Sequence, residues 1–170
     1  MLMLSELTEP PRTAPTTLSR PPRETRKSHG GTGRSPAVDN VTRMPNSILI
    51  ADDYDDNREL LRLMLETDGY VIREARDGRE CVTVARADPP DVALIDLSMP
   101  VLDGWDTLRE LRADERTRTV RCVAVTAFAA DQDRQRVLDA GFDAYLAKPF
   151  RSRDLLNLVQ RLVDSLSVKT

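Results

Sequence analysis

Four stretches of this sequence end an apolar run in a side chain that can do chemistry. Asp52 and Asp53 follow Ile48-Leu-Ile-Ala51, Asp96 follows Val92-Ala-Leu-Ile95, Thr126 follows Val120 to Val125, and Lys148 follows Ala144-Tyr-Leu-Ala147. Runs of this length read as strands. If those strands are parallel neighbours, three carboxylates, one hydroxyl and one ammonium meet on a single rim. Carboxylates brought that close raise one another's pKa and cost stability unless a cation intervenes. Mg²⁺ suits one or two carboxylates, a carbonyl oxygen and several waters. A Mg²⁺ site with a spare Thr and Lys is equipped to hold a phosphoryl group.

Plainer readings compete at each position. Asp52 and Asp53 could cap a helix, but Asp55 and Asp56 stand better placed for that. A lone Asp ending a buried strand is hard to excuse, because an unpaired buried charge is costly. Thr126 alone would pass as a strand-end Thr, and Tyr145 as simple core. Lys148 is set apart by composition: the chain has 25 Lys and Arg together, and the only other lysines are Lys27 and Lys169 near its ends. A chain so biased to Arg that uses Lys here points to a need for a compact ammonium.

The elements that must position these residues can be read from periodicity. Besides the runs above, Tyr70-Val-Ile72 reads as a strand. Between the strands lie helical patterns: Asp56–Thr67 with Leu60, Leu61, Met64 and Leu65 on one face, Arg79–Ala87 with Val82 and Ala85, and Trp105–Ala113 with Leu108 and Leu111. Asp131–Ala140 follows with Val137 and Leu138, and then Ser152–Leu166, with Ser152 as N-cap and an apolar stripe from Leu155 to Val163. Strict alternation of five strands and five helices predicts an α/β fold, a (βα)5 unit wound on both faces of a parallel sheet. Right-handed crossovers favour the flavodoxin-like order 2-1-3-4-5. In such sheets ligands sit at the carboxyl ends of the strands, where the acids, Thr126 and Lys148 lie.

Residues 47–166 resemble the receiver domain of two-component response regulators. The resemblance rests on Ile48-Leu-Ile-Ala-Asp-Asp53, on Ala93-Leu-Ile-Asp96-Leu-Ser-Met-Pro100 with Asp103-Gly104, on Val125-Thr126-Ala127, and on Tyr145-Leu-Ala-Lys148-Pro149-Phe150. It implies that Asp96 accepts a phosphoryl group from a histidine kinase or phosphotransfer protein. It implies Mg²⁺ held by Asp53, Asp96 and the backbone carbonyl of Ser98, with Asp52 acting through the metal's water shell. Thr126 is then expected to bond a phosphoryl oxygen, Lys148 to pair with its charge, and Tyr145 to act as the switch aromatic. The resemblance also implies a cis Lys148-Pro149 peptide. Output is expected through the face of helix 131–140, strand 144–147 and helix 152–166 toward a downstream protein, in a monomer or weak dimer. It implies no turnover of a separate substrate. Ser98 and Phe128 flank the path of the hydrolytic water in such domains, and a large Phe128 is expected to lengthen the phosphorylated lifetime.

Composition narrows the field. The 170 residues carry a formal charge of −3, which conceals two halves. Residues 1–44 hold seven basic and four acidic residues, net +3, and the remainder is net −6. A globally basic nucleic-acid binder is thereby disfavoured, and direct DNA binding is not expected. No 18-residue apolar run exists to span a membrane, and the first residues are too short an apolar stretch for a signal peptide, so a cytoplasmic protein is expected. Residues 1–45 contain seven of eleven prolines and no apolar period, and read as a disordered Pro/Arg-rich extension before a receiver at 46–167. Met44 directly precedes the first strand, which makes it an alternative start. The last helix reaches close to the final residue, so a stand-alone receiver is expected.

Other chemistries lack their residues. Cys81 and Cys122 make neither a disulfide framework nor a metal quartet and read as small buried apolar side chains. His29 stands in the extension without a helix around it. No Gly-x-x-x-x-Gly-Lys or Gly-x-Gly-x-x-Gly loop supplies a phosphate cradle. A haloacid-dehalogenase-type aspartyl-phosphate phosphatase also uses a strand-end Asp, but resembles Asp-x-Asp, and here the second position is Ser98. A docking module that is never phosphorylated would not need the intact acidic set. Trp105, after Gly104, reads as packing at a helix start.

Overall fold

The structure is a computed structural model describing residues 46–127 and 131–167. The N-terminal extension with His29, and Phe128, lie outside the described residues. Elements alternate without exception: β1 (Ser47–Ala51), α1 (Asp55–Thr67), β2 (Val71–Ala75), α2 (Gly78–Ala87), β3 (Val92–Asp96), α3 (Gly104–Ala113), β4 (Arg121–Thr126), α4 (Asp131–Asp139), β5 (Ala144–Ala147) and α5 (Ser152–Ser167). The five strands are parallel in the order β2-β1-β3-β4-β5, as the alternation predicts. Register brings the strand ends level: Ala51 pairs with Ile95, Asp96 with Val125, and Thr126 with Ala147.

Continuous apolar runs conceal a period of two. Ile48, Ile50, Val92, Leu94, Val123 and Val125 face one side and pack with Leu61, Leu65, Leu155, Val159 and Val163 of α1 and α5. Leu49, Ala51, Ala93, Ile95, Cys122 and Ala124 face the other, against Val82, Leu108, Leu111 and Val137 of α2, α3 and α4. Side chains of successive strand residues point to opposite faces, so a strand covered on both sides must be apolar throughout. Each fully buried Leu or Val stabilises by about 1.5–3 kcal/mol. β3, buried along its whole length, is the strand that carries Asp96.

Three details depart from the sequence reading. β2 runs on through Arg73 and Glu74 to Ala75, because at a sheet edge Glu74 stays exposed and Arg73, partly covered, reaches Asp88. On α1 the inward positions are Arg58, Leu61 and Leu65, while Leu60 is half exposed. Helix caps also differ. Tyr54 is the N-cap of α1 and offers no side-chain bond, Asp55 pairs with Arg58 instead, and α5 already includes Ser152. Elsewhere Asp77 and Asp103 cap α2 and α3 through the N–H groups of Glu80 and Asp106.

Candidate functional site

The rim at the carboxyl ends of β1, β3, β4 and β5 gathers the side chains the sequence singled out. Asp52 is buried immediately after β1, and all its polar groups are engaged. Its N–H donates to the Ala75 carbonyl at 3.3 Å. Its Oδ1 accepts from the Tyr54 N–H at 2.9 Å and the Asn57 amide at 3.1 Å. Its Oδ2 accepts from Asn57 at 3.2 Å and from Lys148 Nζ at 2.7 Å. Asp96, at the last residue of β3, accepts from the Ser98 N–H at 2.9 Å on Oδ1 and from Lys148 Nζ at 2.7 Å on Oδ2. Lys148 therefore bridges two carboxylates with one ammonium, a task its compact head suits better than a guanidinium fork.

Lys148 is positioned from both ends. Its backbone N–H donates to the Thr126 carbonyl at 2.8 Å, which ties the β5 end to β4, and the following Lys148-Pro149 peptide is cis. Burial alone pushes the ammonium's pKa down. The hydrogen bonds and charges of Asp52 and Asp96 outweigh that effect, and the pKa stands above the ordinary lysine value. Thr126 is fully buried at the end of β4. Tyr145 is half-buried, packs against the α2–α4 side of the core and lines a groove of about 570 Å³ with Arg134, Leu138, Leu158 and Arg161. Burial, followed by the charge of Asp133, raises its phenol pKa.

Asp53 stands apart from its neighbours. Its Oδ1 is buried and has no hydrogen-bond partner, a costly condition for a carboxylate oxygen. Asp52, Asp53 and Asp96 each offer an oxygen, and those atoms lie within 4.8 Å of one another. Three carboxylates against one ammonium leave the cluster two negative charges in excess. An oxygen-only donor set with an orphaned buried oxygen and an excess of negative charge fits a hard divalent cation such as Mg²⁺. Asp52 does not cap α1, whose N-cap is Tyr54; its carboxylate accepts from the N–H of that N-cap residue and from Lys148.

Asn57 and Arg58 escaped the sequence reading. Asn57 forks across both oxygens of Asp52, and Arg58 donates to the Asp52 carbonyl at 2.7 Å. A signal existed for Arg58, which takes the first place of the buried Arg58–Leu61–Leu65 stripe, where an apolar residue is expected.

The other residues singled out in the sequence lie around or away from this cluster. Ser98 is exposed beside the rim. Trp105 packs edge-on against Phe142, centroids 6.0 Å apart, under the Arg136 guanidinium at 5.1 Å, which is helix-start packing. Both thiols are fully buried, and burial pushes Cys122 up to about 12 and Cys81 higher still, so neither is a thiolate at neutral pH. Among the described residues no helix is long and apolar enough to cross a membrane.

Comparison with known proteins agrees with this geometry. A family model described as the response regulator receiver domain matches residues 48–160. The polar-differentiation response regulator DivK of Brucella anthropi is 36% identical over 106 residues, covering 62% of this chain and 86% of DivK. Among solved structures, the receiver domain of a sensor histidine kinase from Pseudomonas aeruginosa has a magnesium ion coordinated in its active site cleft. It is 37% identical with a TM-score of 0.66, covering 71% of this chain and 99% of its own. The chemotaxis protein CheY4 of Vibrio cholerae is 27% identical with a TM-score of 0.66, over 70% of this chain and 99% of its own.

Proposed function

The chain belongs to the family of response regulator receiver domains, and from that premise we propose that Asp96 is its phosphoacceptor and that residues 46–167 form the receiver. One observation carries the assignment: Lys148 Nζ sits 2.7 Å from both Asp52 and Asp96 while the buried Oδ1 of Asp53 has no partner. Among the three acids, Asp96 ends the central buried strand β3, where one loop N–H and Lys148 hold its carboxylate.

In the proposed reaction an Asp96 carboxylate oxygen forms a bond to phosphorus. The bond from phosphorus to the donor's nitrogen, in a phosphohistidine, breaks in line, and its electron pair leaves with the imidazole. Asp53 and Asp96, with the Ser98 carbonyl, would hold Mg²⁺, and Asp52 would meet it through water. When bound, that ion neutralises charge on the transferring oxygens. Lys148 stays at hand to pair with the arriving phosphoryl group, which brings about −1.5 to −2 charge. The Thr126 hydroxyl donates to a second phosphoryl oxygen. Thr126 ends β4 and pairs in register with Ala147 of β5, so a shift at Thr126 is felt beside Tyr145. Tyr145 and the groove between α4, β5 and α5 are then the readout, presented to a downstream protein. The donor is a histidine kinase or phosphotransfer protein, and the chain turns over no separate substrate.

The test is incubation with acetyl phosphate and Mg²⁺ followed by intact-mass measurement. The wild type should gain the mass of one phosphoryl group and Asp96→Asn none. A gain that survives Asp96→Asn refutes the assignment.

A further inference from the structure

We infer that Arg58 is a positioning residue for the metal-binding carboxylate of Asp53, an inference that rests on the Mg²⁺ reading above. Arg58 lies on the first turn of α1 with its side chain 8% exposed, and a buried guanidinium is tolerated only when its donors are paired. Nε faces Glu74 at 3.3 Å, and one terminal nitrogen pairs with Asp55. These two carboxylates already offset the charge. The other terminal nitrogen makes a buried bond of 2.7 Å to the Asp52 carbonyl.

That carbonyl belongs to the peptide joining Asp52 to Asp53. A peptide unit is planar, so its carbonyl direction fixes the orientation from which the Asp53 side chain departs. Asp52 is anchored on its other side by the N–H bond to Ala75 and through its carboxylate by Asn57 and Lys148. Asp53 has no such anchor on its Oδ1. The Arg58 bond is thus the contact that sets the plane from which Asp53 projects. Arg62 is the natural comparison: it joins the same ion-pair network through Glu74 at 3.1 Å and Glu66 at 3.2 Å, yet it makes no bond to the Asp52 carbonyl. Groups that orient metal ligands typically change metal affinity 10- to 100-fold when lost.

Calorimetric titration of the full chain with Mg²⁺ tests this, alongside the melting temperature of each variant in EDTA. Arg58→Met should bind Mg²⁺ roughly 10- to 100-fold more weakly than wild type. Arg58→Lys, which keeps the charge but replaces the fork by a single ammonium, should bind about tenfold more weakly. Arg62→Met should stay within about twofold of wild type, even where it lowers the melting temperature. If Arg58→Met does not fold, Arg58→Lys decides: an affinity within about twofold of wild type overturns the inference. Equal losses in the Arg58 and Arg62 variants overturn it too, because they would reflect the network at large. A wild type that takes up no Mg²⁺, or an Asp53→Asn variant with unchanged affinity, overturns the metal reading beneath it.

Discussion

Gly104→Ala should cost both stability and phosphorylation. Gly104 opens α3, and its N–H donates to the Leu97 carbonyl at 3.2 Å, which lays the helix start on the segment following Asp96. A Cβ at this position would stand 2.4 Å from the Asp96 carbonyl oxygen and 2.8 Å from Leu97 Cα. Both are backbone atoms at the end of a strand buried on both faces, so neither can swing aside as a flexible side chain would. The clash is relieved only by moving the helix start away from β3 or by displacing Asp96. Overpacking of this kind costs about 1–3 kcal/mol. The helix-propensity gain of Ala over Gly, up to about 1 kcal/mol in a helix interior, is smaller here because Gly104 begins the helix. A net loss of about 2 kcal/mol lowers the melting temperature of a domain of this size by roughly 6–12 °C. Phosphorylation by acetyl phosphate should fall more than this stability loss explains when measured well below the melting point. Gly141→Ala is the control: Gly141 has φ +105 and open space where a Cβ would stand, so Ala there costs about 1 kcal/mol in backbone strain without touching Asp96. A Gly104→Ala protein that melts within about 2 °C of wild type and phosphorylates normally would refute the reasoning.

Further outcomes follow from the same structure. Val101 is 81% exposed and has φ 69, an uncommon state for a β-branched residue, at the centre of a turn in which the Leu102 N–H donates to the Pro100 carbonyl. Val101→Asn should raise stability by about 0.5–1 kcal/mol as read from the urea midpoint, and a lower midpoint contradicts the strain argument. The Lys148 pKa is raised in the folded state by Asp52 and Asp96, so its stabilising effect is complete below the ordinary value of 10.5 and is lost as pH rises through the raised value. Wild type should therefore lose stability above pH 10.5 more steeply than Lys148→Met, and parallel losses would contradict the ion-pair account. Mg²⁺ at about 100 times its Kd should stabilise the wild type by about 2.7 kcal/mol in thermal melts, and Asp53→Asn should lose most of that gain. An undiminished gain in Asp53→Asn would remove Asp53 from the metal site.

Legibility in the sequence followed the physics of each feature. The strand runs and the sheet order were readable because a parallel strand buried on both faces must be apolar throughout, and only polar residues of purpose interrupt it. The same logic made Asp52, Asp53, Asp96, Thr126 and Lys148 visible, since each stands where an apolar run stops. β2 reads short in the sequence because its edge position admits Arg73 and Glu74, which no apolar run includes. Leu60 reads as inward in the sequence because an apolar stripe does not include Arg58, whose guanidinium is buried only by virtue of Asp55, Glu74 and the Asp52 carbonyl. Contacts of that kind involve a backbone oxygen and residues brought together by folding. No spacing rule reports them. Asn57, in the first turn of α1, meets the Asp52 carboxylate through the local path of the β1–α1 connection.

The phosphoacceptor itself can be located directly. Borohydride reduces an aspartyl phosphate to homoserine, so phosphorylated protein can be reduced, digested and mapped by mass spectrometry. Homoserine at position 96, dependent on Mg²⁺ during phosphorylation, is the predicted result. Homoserine at position 52 or 53, or a phosphoryl group borne on any residue away from this rim, would contradict the central claim.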